Sequence, residues 1–321
     1  MNMKVTETYP LSFGQQALWF IYQMAPENVA YNIFTTIKIN SNINIDTFIN
    51  VWHKIVERHP ILRTVYTTHQ DKAVQQVNKT HKFYVEVIDA SQWSEDELKE
   101  KIFAETDRPF NLETDSVLRI HLFTRSAKEH ILLLTMHHIA GDMRTVDLLI
   151  CEFQTAYIRE INGLPVSSNK PDKYYTDFVN WQIEMLSGAR GEKLWEYWQK
   201  KLAGELPILN LLTDKPRPPV QTYQGKGYIL DLDQHLIEKL NNLALVSGTS
   251  LYQLLLAAFY VLIYRYTQQK DILIGTPMRG RSAREFKEVI GYFVNQVVLR
   301  NFIQENASFQ EFLTQVSNTV K

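Results

Sequence analysis

The sequence predicts an α/β fold, because segments with helical spacing of apolar residues alternate with short β-rich runs along the whole chain. Residues 130–136 form a nearly continuous apolar run, which is typical of a strand buried on both faces. No internal repeat of fixed period indicates a solenoid. The 321 residues are enough for about two domains, each able to bury a core of its own.

The first half of the chain contains two predicted helices and three predicted strands. Apolar residues recur at helical spacing over residues 46–58, so we expect a helix there with Asp46 as its N-cap. Residues 74–77 and 83–88 are predicted strands, and the apolar run described above is the third. After that run, an apolar face over residues 143–160 predicts a long amphipathic helix.

Turn-forming residues with little apolar content occupy residues 162–173. We place a lobe boundary in this segment, between a lobe of residues 1–170 and a lobe of residues 171–321. A second irregular connector is predicted at residues 213–220, because its prolines cannot lie inside a helix or a central strand.

Beyond the connector, residues 236–245 and 250–266 are predicted helices and residues 271–276 a predicted strand. The second of these helices is apolar nearly all round, so we expect it to be buried. Helical spacing also continues over residues 309–320 with no Gly or Pro before Lys321. We interpret this end as a helix cut mid-course, and the second lobe as incomplete.

The charge balance and the cysteine content exclude several classes of protein. Lys and Arg number 34 and Asp and Glu 35, for a net charge of −1, so nothing in the bulk charge favours nucleic acid or an anionic membrane as a partner. The single cysteine, Cys151, excludes an internal disulfide and a multi-cysteine zinc site. No export signal and no apolar run of the roughly 20 residues needed for a membrane span is present. We therefore expect a cytoplasmic protein that binds neither nucleic acid nor membrane.

One dense polar cluster, MHHIAGD at residues 136–142, lies between the buried strand and the amphipathic helix. Motifs of serine hydrolases, P-loop proteins, zinc proteases and nicotinamide enzymes are absent from the sequence. Adjacent strand residues point to opposite faces, so one of His137 and His138 is a candidate for chemistry and the other for support. Asp142 lies where it could cap the following helix or pair with a buried arginine. Because adjacent strand residues cannot easily converge on one ion, we predict no metal site.

The pattern His137-His138-x-x-x-Asp142 resembles the signature of condensation domains of nonribosomal peptide synthetases, within the superfamily of chloramphenicol-acetyltransferase-like acyltransferases. Four further segments resemble that family's other motifs, in the same order. They are SFGQQALW at residues 12–19, RHPILRTVY at 58–66, YTDFVNW at 175–181, and IGYFVN at 290–295 followed by Arg300. The Pro-rich connector and the Arg279-Gly280-Arg281 segment are also similar to the family.

The resemblance implies two acetyltransferase-like lobes that form a V-shaped pseudodimer with a tunnel between them. It implies that the amine of an aminoacyl thioester attacks a donor acyl or peptidyl thioester, so that an amide forms in nonribosomal peptide or hybrid polyketide-peptide biosynthesis. Both thioesters are expected on the phosphopantetheine arms of partner carrier proteins. Neighbouring synthetase domains are further expected partners, and no cofactor or metal bound directly by this chain is implied.

On this resemblance, His138 is the catalytic residue. An imidazole commonly titrates near neutral pH, which suits a group that accepts a proton from the attacking amine or orients that amine. His137 and Asp142 are expected to be structural, with Asp142 in a salt bridge to Arg63 by analogy with the family. Backbone amides at the start of the following helix are expected to stabilise the tetrahedral oxyanion.

Four residues are expected to line the substrate tunnel on the same resemblance: Gly141, Met143, Tyr175 and Asn295. The sequence departs from the family pattern at two positions near them. Met143 follows the aspartate where the family usually has glycine, and Gln296 stands where the family usually has threonine. A methionine fills space that a glycine would leave for the acceptor arm, so we expect either a narrower acceptor side or a degenerate domain.

Three functions are therefore open from the sequence. The first is an amide-forming condensing enzyme that depends on His138. The second is a noncatalytic module of the same fold that docks carrier proteins, which Met143 favours. The third is an acyltransferase to a hydroxyl acceptor, because the histidine chemistry is the same for an alcohol and an amine.

Overall fold

The structure is a computed structural model that describes residues 5–79, 83–165, 171–223 and 225–321. The predicted lobe boundary after residue 170 lies outside the described residues, and the two predicted lobes stay a prediction.

The described residues form two compact units. The first unit contains the residues up to Gly188 and the later segment Arg279–Asn295. The second unit contains Ala189–Met278 and Gln296–Lys321. A segment from late in the chain thus belongs to the first unit, which a single boundary in the sequence does not anticipate.

The secondary structure is mixed throughout. The strands of the first unit are β1 Val5–Pro10, β2 Asn32–Ile39, β3 Thr64–His69, β4 Lys72–Asn78, β5 Val85–Asp89, β6 Leu118–Ser126 and β7 Glu129–His137. Its helices are α1 Phe13–Met24, α2 Ile45–Arg58, α3 Glu95–Thr106, α4 Met143–Ile161 and α5 Tyr175–Ser187, with short 3₁₀ turns at Pro60–Arg63, His138–Ala140 and Arg284–Phe286. The remaining elements are α6 Ala189–Lys201, α7 Gln234–Val246, α8 Leu251–Thr267, β8 Asp271–Met278, β9 Asn295–Phe302 and α9 Phe309–Val320.

β7 is an interior strand of a four-stranded sheet with the order β2-β7-β6-β5. It pairs antiparallel with β2 and with β6, whereas β5 lies parallel to β6. Its residues from Leu132 to His137 are all buried, which confirms the prediction of a strand covered on both faces. A second sheet, with the order β1-β4-β3, is antiparallel. β7 therefore delivers the two histidines from the middle of the larger sheet.

α2 and α4 share one core with alternate residues of β6 and β7. The rings of Trp52 on α2 and Phe153 on α4 stack with their centroids 4.6 Å apart. Both helices are where the apolar spacing predicts them, but the predicted N-cap of α2 is wrong. The helix begins at Ile45, so Asp46 lies in its first turn and the side chain of Asn44 accepts the hydrogen bond from the Thr47 amide instead.

In the second unit, the predicted helices 236–245 and 309–320 are α7 and α9, and the predicted strand 271–276 is β8. The described residues between α6 and α7 form neither helix nor strand, as the proline-rich connector predicts. Within the described residues, no single helix has the length and apolar character to cross a membrane. The bent pair α7 and α8, with 101° between its helices, meets those two criteria only jointly.

The prediction that α8 is buried is correct for one face of the helix and wrong for the other. One face, which includes Leu254, Ala257 and Tyr260, is buried with α7, α9 and the two-stranded sheet β8-β9. The opposite face keeps Leu255 at 43% and Phe259 at 46% exposure. An apolar sequence shows which residues are able to be buried, and the elements packed around the helix decide which of them are.

We expect Leu134→Ala to lower the free energy of unfolding by about 2–5 kcal/mol, because it truncates a fully buried side chain of β7 and leaves a cavity. Equilibrium urea denaturation measures the change. The matched control is Leu164→Ala, which shortens the same side chain where it is 52% exposed and should cost less than about 0.5 kcal/mol. Equal losses in the two variants would contradict the position of β7 in the core.

Candidate functional site

The two histidines separate where β7 ends. His137 is the last residue of the strand and His138 the first of the 3₁₀ turn that follows. The backbone amide of His138 still donates to the carbonyl of Tyr31, 2.8 Å away, which ties the turn to the start of β2. His137 is buried against the ring of Phe110, whereas His138 is half-buried against the ring of Tyr292.

The tautomer of His138 follows from one hydrogen bond. Its Nδ1 lies 2.8 Å from the carbonyl oxygen of Gly141. A carbonyl oxygen only accepts, so Nδ1 carries the proton and, in the neutral ring, Nε2 carries the lone pair. The described residues offer no hydrogen-bond partner to Nε2. His138 therefore presents an unused proton acceptor on a half-exposed ring.

His137 has a different environment. Its Nδ1 accepts a hydrogen bond from the Ile139 amide at 3.1 Å, so the proton of the neutral ring is on Nε2. Burial, together with the charges of His138 and Arg119, lowers the pKa of His137 to about 3. His137 is thus a neutral side chain that holds the backbone of the turn.

Asp142 combines the two roles that the sequence leaves open. Its Oδ1 accepts from the amide of Thr145 at 2.9 Å and caps α4. Its Oδ2 accepts from Nη1 of Arg281 at 2.6 Å and from the amide of Phe293 at 3.1 Å. The Asp142 and Arg281 side chains are 1% and 7% exposed, so this is a buried ion pair.

The predicted salt bridge between Asp142 and Arg63 is wrong. Nη1 of Arg63 donates instead to the carbonyl of Asn78, at the end of β4. Arg281, which pairs with Asp142, lies in the segment Arg279–Asn295 that joins the first unit from late in the chain. The only signal for it in the sequence is the Arg279-Gly280-Arg281 pattern.

Gly280 shows how this segment comes close enough. Its φ is +67°, a conformation that L side chains rarely adopt, and a Cβ there would lie 1.7 Å from the carbonyl oxygen of Phe293. The guanidinium of Arg281 lies 4.1 Å from the centroid of the Phe293 ring, in cation–π geometry. Glycine at this position therefore lets the arginine fold back over the aromatic ring towards Asp142.

Thr145 links the ion pair to the same segment, and sequence reasoning missed it. Its hydroxyl donates to the carbonyl of Gly291 at 2.8 Å and accepts from the Gly291 amide at 3.0 Å. Nη2 of Arg281 lies 3.1 Å from the same hydroxyl oxygen. In the sequence, a threonine in the first turn of a helix looks like an ordinary surface residue, so only the fold reveals this contact.

Gln15 was also missed. It is fully buried in α1, and its Nε2 donates to the carbonyl of Ile139, in the turn after His138, at 3.0 Å. The hydroxyl of Tyr66 lies 3.4 Å from the same carbonyl. The motifs at residues 12–19 and 58–66 therefore also hold the histidine turn. A glutamine that shares the apolar face of α1 with Leu18 and Trp19 is the sequence signal that could have shown it.

The four residues predicted to line a tunnel lie in different environments. Gly141 is packed so closely that a Cβ would lie 2.5 Å from Sδ of Met136. Tyr175 is buried, and its hydroxyl donates to the carbonyl of Tyr292 at 2.6 Å. Met143 is 53% exposed, and Asn295 is exposed at the start of β9. Their role in a tunnel stays a prediction. Among the described residues, no group of three His, Cys, Asp or Glu side chains could hold a metal ion.

The chain is similar in sequence to known proteins. The sequence model of the condensation domain matches residues 5–321. Tyrocidine synthase 3 of Brevibacillus parabrevis is 32% identical over 309 residues, which cover 96% of this chain and 5% of that protein. Bacitracin synthase 2 of Bacillus licheniformis is 32% identical over 312 residues, which cover 97% and 12%. The chain therefore spans a small fraction of the length of these relatives.

Two solved structures share the fold. The X-domain in its complex with OxyB from teicoplanin biosynthesis matches with a TM-score of 0.86 and 23% identity, over 99% of this chain and 70% of that one. The condensation domain from the monacolin K polyketide synthase MokA matches with a TM-score of 0.83 and 20% identity, over 98% and 72%. The predicted α/β fold of the condensation-domain type is confirmed.

We expect Asp142→Asn to lower the free energy of unfolding by about 3–5 kcal/mol, because it leaves the Arg281 guanidinium buried without a counter-charge. An asparagine can still cap α4 through its Oδ1, so the loss reports the charge together with the hydrogen bonds that Oδ2 accepts from Arg281 and the Phe293 amide. The control is Glu288→Gln, which breaks the 3.1 Å ion pair with Arg144 between exposed side chains and should cost at most about 1 kcal/mol. Urea denaturation compares the two variants, and similar losses would contradict a buried pair at Asp142.

The stability of the chain should depend on His137 below neutral pH. Burial lowers the pKa of His137 from 6.5 to about 3, so the unfolded chain takes up this proton at a higher pH than the folded chain. The contribution of His137 is complete above about pH 6.5 and is lost as the pH falls from there towards 3. His137→Asn keeps an acceptor for the Ile139 amide and should flatten this decline by up to about 1.4 kcal/mol per pH unit.

Urea denaturation at pH 7, 6 and 5 measures the difference between the wild type and His137→Asn. The control is His69→Asn, at an exposed residue of β3, which should keep the wild-type profile. Parallel profiles for the wild type and His137→Asn would show that His137 is not held neutral by burial.

Proposed function

Because this chain belongs to the condensation-domain family of nonribosomal peptide synthetases, we propose that it forms an amide bond between two carrier-bound substrates. The donor is an acyl or peptidyl thioester. The acceptor is the amine of an aminoacyl thioester. Each is carried on the phosphopantetheine arm of a partner carrier protein, and this chain supplies the site at which they meet.

The observation that carries this proposal is the fixed tautomer of His138. Its Nδ1 is committed to the carbonyl of Gly141, and its Nε2 lone pair is unused by the described residues. Nε2 is therefore suited to accept a hydrogen bond, and then the proton, from the attacking amine. A ring held in one orientation also positions the amine, and positioning alone can supply several kcal/mol of the barrier reduction.

The reaction proceeds by addition and elimination. The amine nitrogen bonds to the thioester carbonyl carbon, and the proton that nitrogen loses goes to Nε2 of His138. The C–S bond then breaks, and the donor arm leaves as a thiol with that proton. The acceptor arm keeps the new amide.

The start of α4 is the proposed site for stabilising the oxyanion. The amide of Thr145 already donates to the carboxylate of Asp142, and the amide of Val146 donates to the Asp142 carbonyl. The amides of Met143 and Arg144 precede these two in the first turn of the helix, where the helix dipole favours negative charge. We assign the tetrahedral oxyanion to this turn.

The partners of the proposed reaction are donor and acceptor carrier proteins and neighbouring synthetase domains. The carriers bring the phosphopantetheine, so this chain needs no cofactor of its own. With a net charge of −1, recognition of a carrier depends on local surface patches. The single cysteine supports a cytoplasmic setting.

A noncatalytic docking module is the second candidate. The observation that favours it is Met143, which stands directly after Asp142 where the family usually has glycine and is 53% exposed. The Met143 side chain occupies space next to Asp142, at the end of the histidine turn, that a glycine would leave open. A solved structure with this fold, the X-domain with OxyB, is a complex with another protein.

We expect His138→Ala to reduce amide formation at least about 100-fold, because it removes the proposed proton acceptor. The assay mixes the native protein with a loaded donor carrier and a loaded acceptor carrier, and intact-mass spectrometry detects the product on the acceptor. The control is His235→Ala, at an exposed residue of α7, which should keep the wild-type rate.

The same assay separates the alternatives. An unchanged rate in His138→Ala would contradict the role of that residue. Carrier binding by the wild type without any product would favour the docking module. Transfer to a hydroxyl acceptor in preference to an amine, when both are offered together, would favour an ester-forming acyltransferase.

A further inference from the structure

Among the described residues, Tyr292 contacts the His138 ring. The two rings meet edge to face, with centroids 5.2 Å apart and planes inclined by 71°. Tyr292 lies within the motif at residues 290–295, and its phenol is not part of the ion-pair network around Asp142. Its contact with the imidazole raises the question of what holds each ring in place.

The backbone around Tyr292 is fixed on both sides by the buried network. The hydroxyl of Tyr175 donates to the Tyr292 carbonyl at 2.6 Å. The amide of Gly291, one residue before, donates to the hydroxyl of Thr145 at 3.0 Å. The amide of Phe293, one residue after, donates to Oδ2 of Asp142 at 3.1 Å. The position of the Tyr292 Cα is therefore set by the same groups that surround the Asp142 ion pair.

Gly14, in the first turn of α1, also lies close to the Tyr292 ring. A Cβ at Gly14 would lie 2.8 Å from Cε1 and 3.3 Å from Cδ1 of Tyr292. Real Cβ atoms essentially never lie closer than 3.0 Å to another heavy atom, so an alanine at this position would have to displace the Tyr292 ring. The Tyr292 ring is thus close to both the start of α1 and the His138 imidazole.

Few other contacts restrain the orientation of the His138 imidazole. The outer torsion of a histidine side chain is broad, and a single hydrogen bond from Nδ1 to the Gly141 carbonyl is the only polar restraint that the described residues give the ring. An edge-to-face aromatic contact adds a preferred inclination without using either ring nitrogen. Burial raises the pKa of Tyr292, with Tyr31 and Asp142 adding to the effect, so the phenol stays neutral beside the imidazole.

We propose that Tyr292 is a positioning residue for the amide-forming reaction, in which its ring holds the His138 imidazole with Nδ1 on Gly141 and Nε2 available to the amine. Asp142 and Arg281 then act on His138 through the backbone on either side of Tyr292. This inference rests on the function proposed for His138. It assigns the effect to the aromatic ring and not to the phenol hydroxyl.

The test compares four variants of the native protein. Tyr292→Phe keeps the ring and should stay within about twofold of the wild-type kcat. Tyr292→Leu removes the ring, and Gly14→Ala displaces it without altering either Tyr292 or His138. Both should lower kcat about tenfold with little change in KM, because substrate binding does not depend on the orientation of the imidazole. Gly188→Ala, where a Cβ meets nothing closer than 3.6 Å, is the glycine control.

A second readout does not depend on turnover. In the protein without substrate, the ¹⁵N chemical shifts of the His138 ring report which nitrogen carries the proton. The wild type and Tyr292→Phe should show the Nδ1–H tautomer, whereas Tyr292→Leu and Gly14→Ala should show a mixture. Circular dichroism confirms that the variants are folded. If Tyr292→Leu does not fold, Gly14→Ala and Tyr292→Phe carry the test alone.

Three results would overturn the inference. The first is that Tyr292→Phe lowers kcat as much as Tyr292→Leu does. The second is that Tyr292→Leu and Gly14→Ala keep the wild-type kcat. The third is that these two variants keep the Nδ1–H tautomer of His138. Failure of the proposed function is a separate result, because the wild type would then form no amide product, and failure of the role proposed for His138 would show as full activity in His138→Ala, whatever the ¹⁵N shifts of the Tyr292 variants.

Discussion

The buried ion pair between Asp142 and Arg281 is the interaction on which the rest of the site depends. Two charges removed from water are stable when each offsets the other and hydrogen bonds satisfy most of the remaining polar atoms. The carboxylate meets this condition by also accepting from the amides of Thr145 and Phe293. The pair therefore fixes the start of α4 and the segment Arg279–Asn295 relative to each other, within one compact unit.

The histidine turn is held both by this pair and by residues of α1 and β3. Asp142 ends the turn and begins α4. Gln15 and Tyr66 reach the carbonyl of Ile139. A turn held by both sets of contacts keeps its backbone carbonyl at Gly141 in place, and that carbonyl sets the tautomer of His138. Motifs that are far apart in the sequence thus together orient one side chain, His138, with its Nδ1 bound to the Gly141 carbonyl.

The sequence predicts well those features that depend on local patterns. The apolar spacing of α2 and α4 and the continuous apolar run of β7 place these elements within a few residues of their observed ends. The cap of α2 is assigned two residues late, because Asp46 and Asn44 are both able to cap and only the first residue of the helix decides between them. The burial of α8 is overestimated for a similar reason, since the residues of a helix do not show which of its sides have neighbours.

Local sequence patterns do not show which residues form ion pairs across long distances in the chain. The sequence shows that Asp142 needs either a helix amide or an arginine, but several arginines are available and Arg281 is 139 residues away. Double-mutant cycles test this pairing directly. In one cycle Asp142→Asn is combined with Arg281→Gln, and in the other with Arg63→Gln. We predict a coupling free energy of about 2 kcal/mol or more between Asp142 and Arg281, and none between Asp142 and Arg63. Strong coupling to Arg63 with none to Arg281 would show that the wrong arginine has been assigned to Asp142.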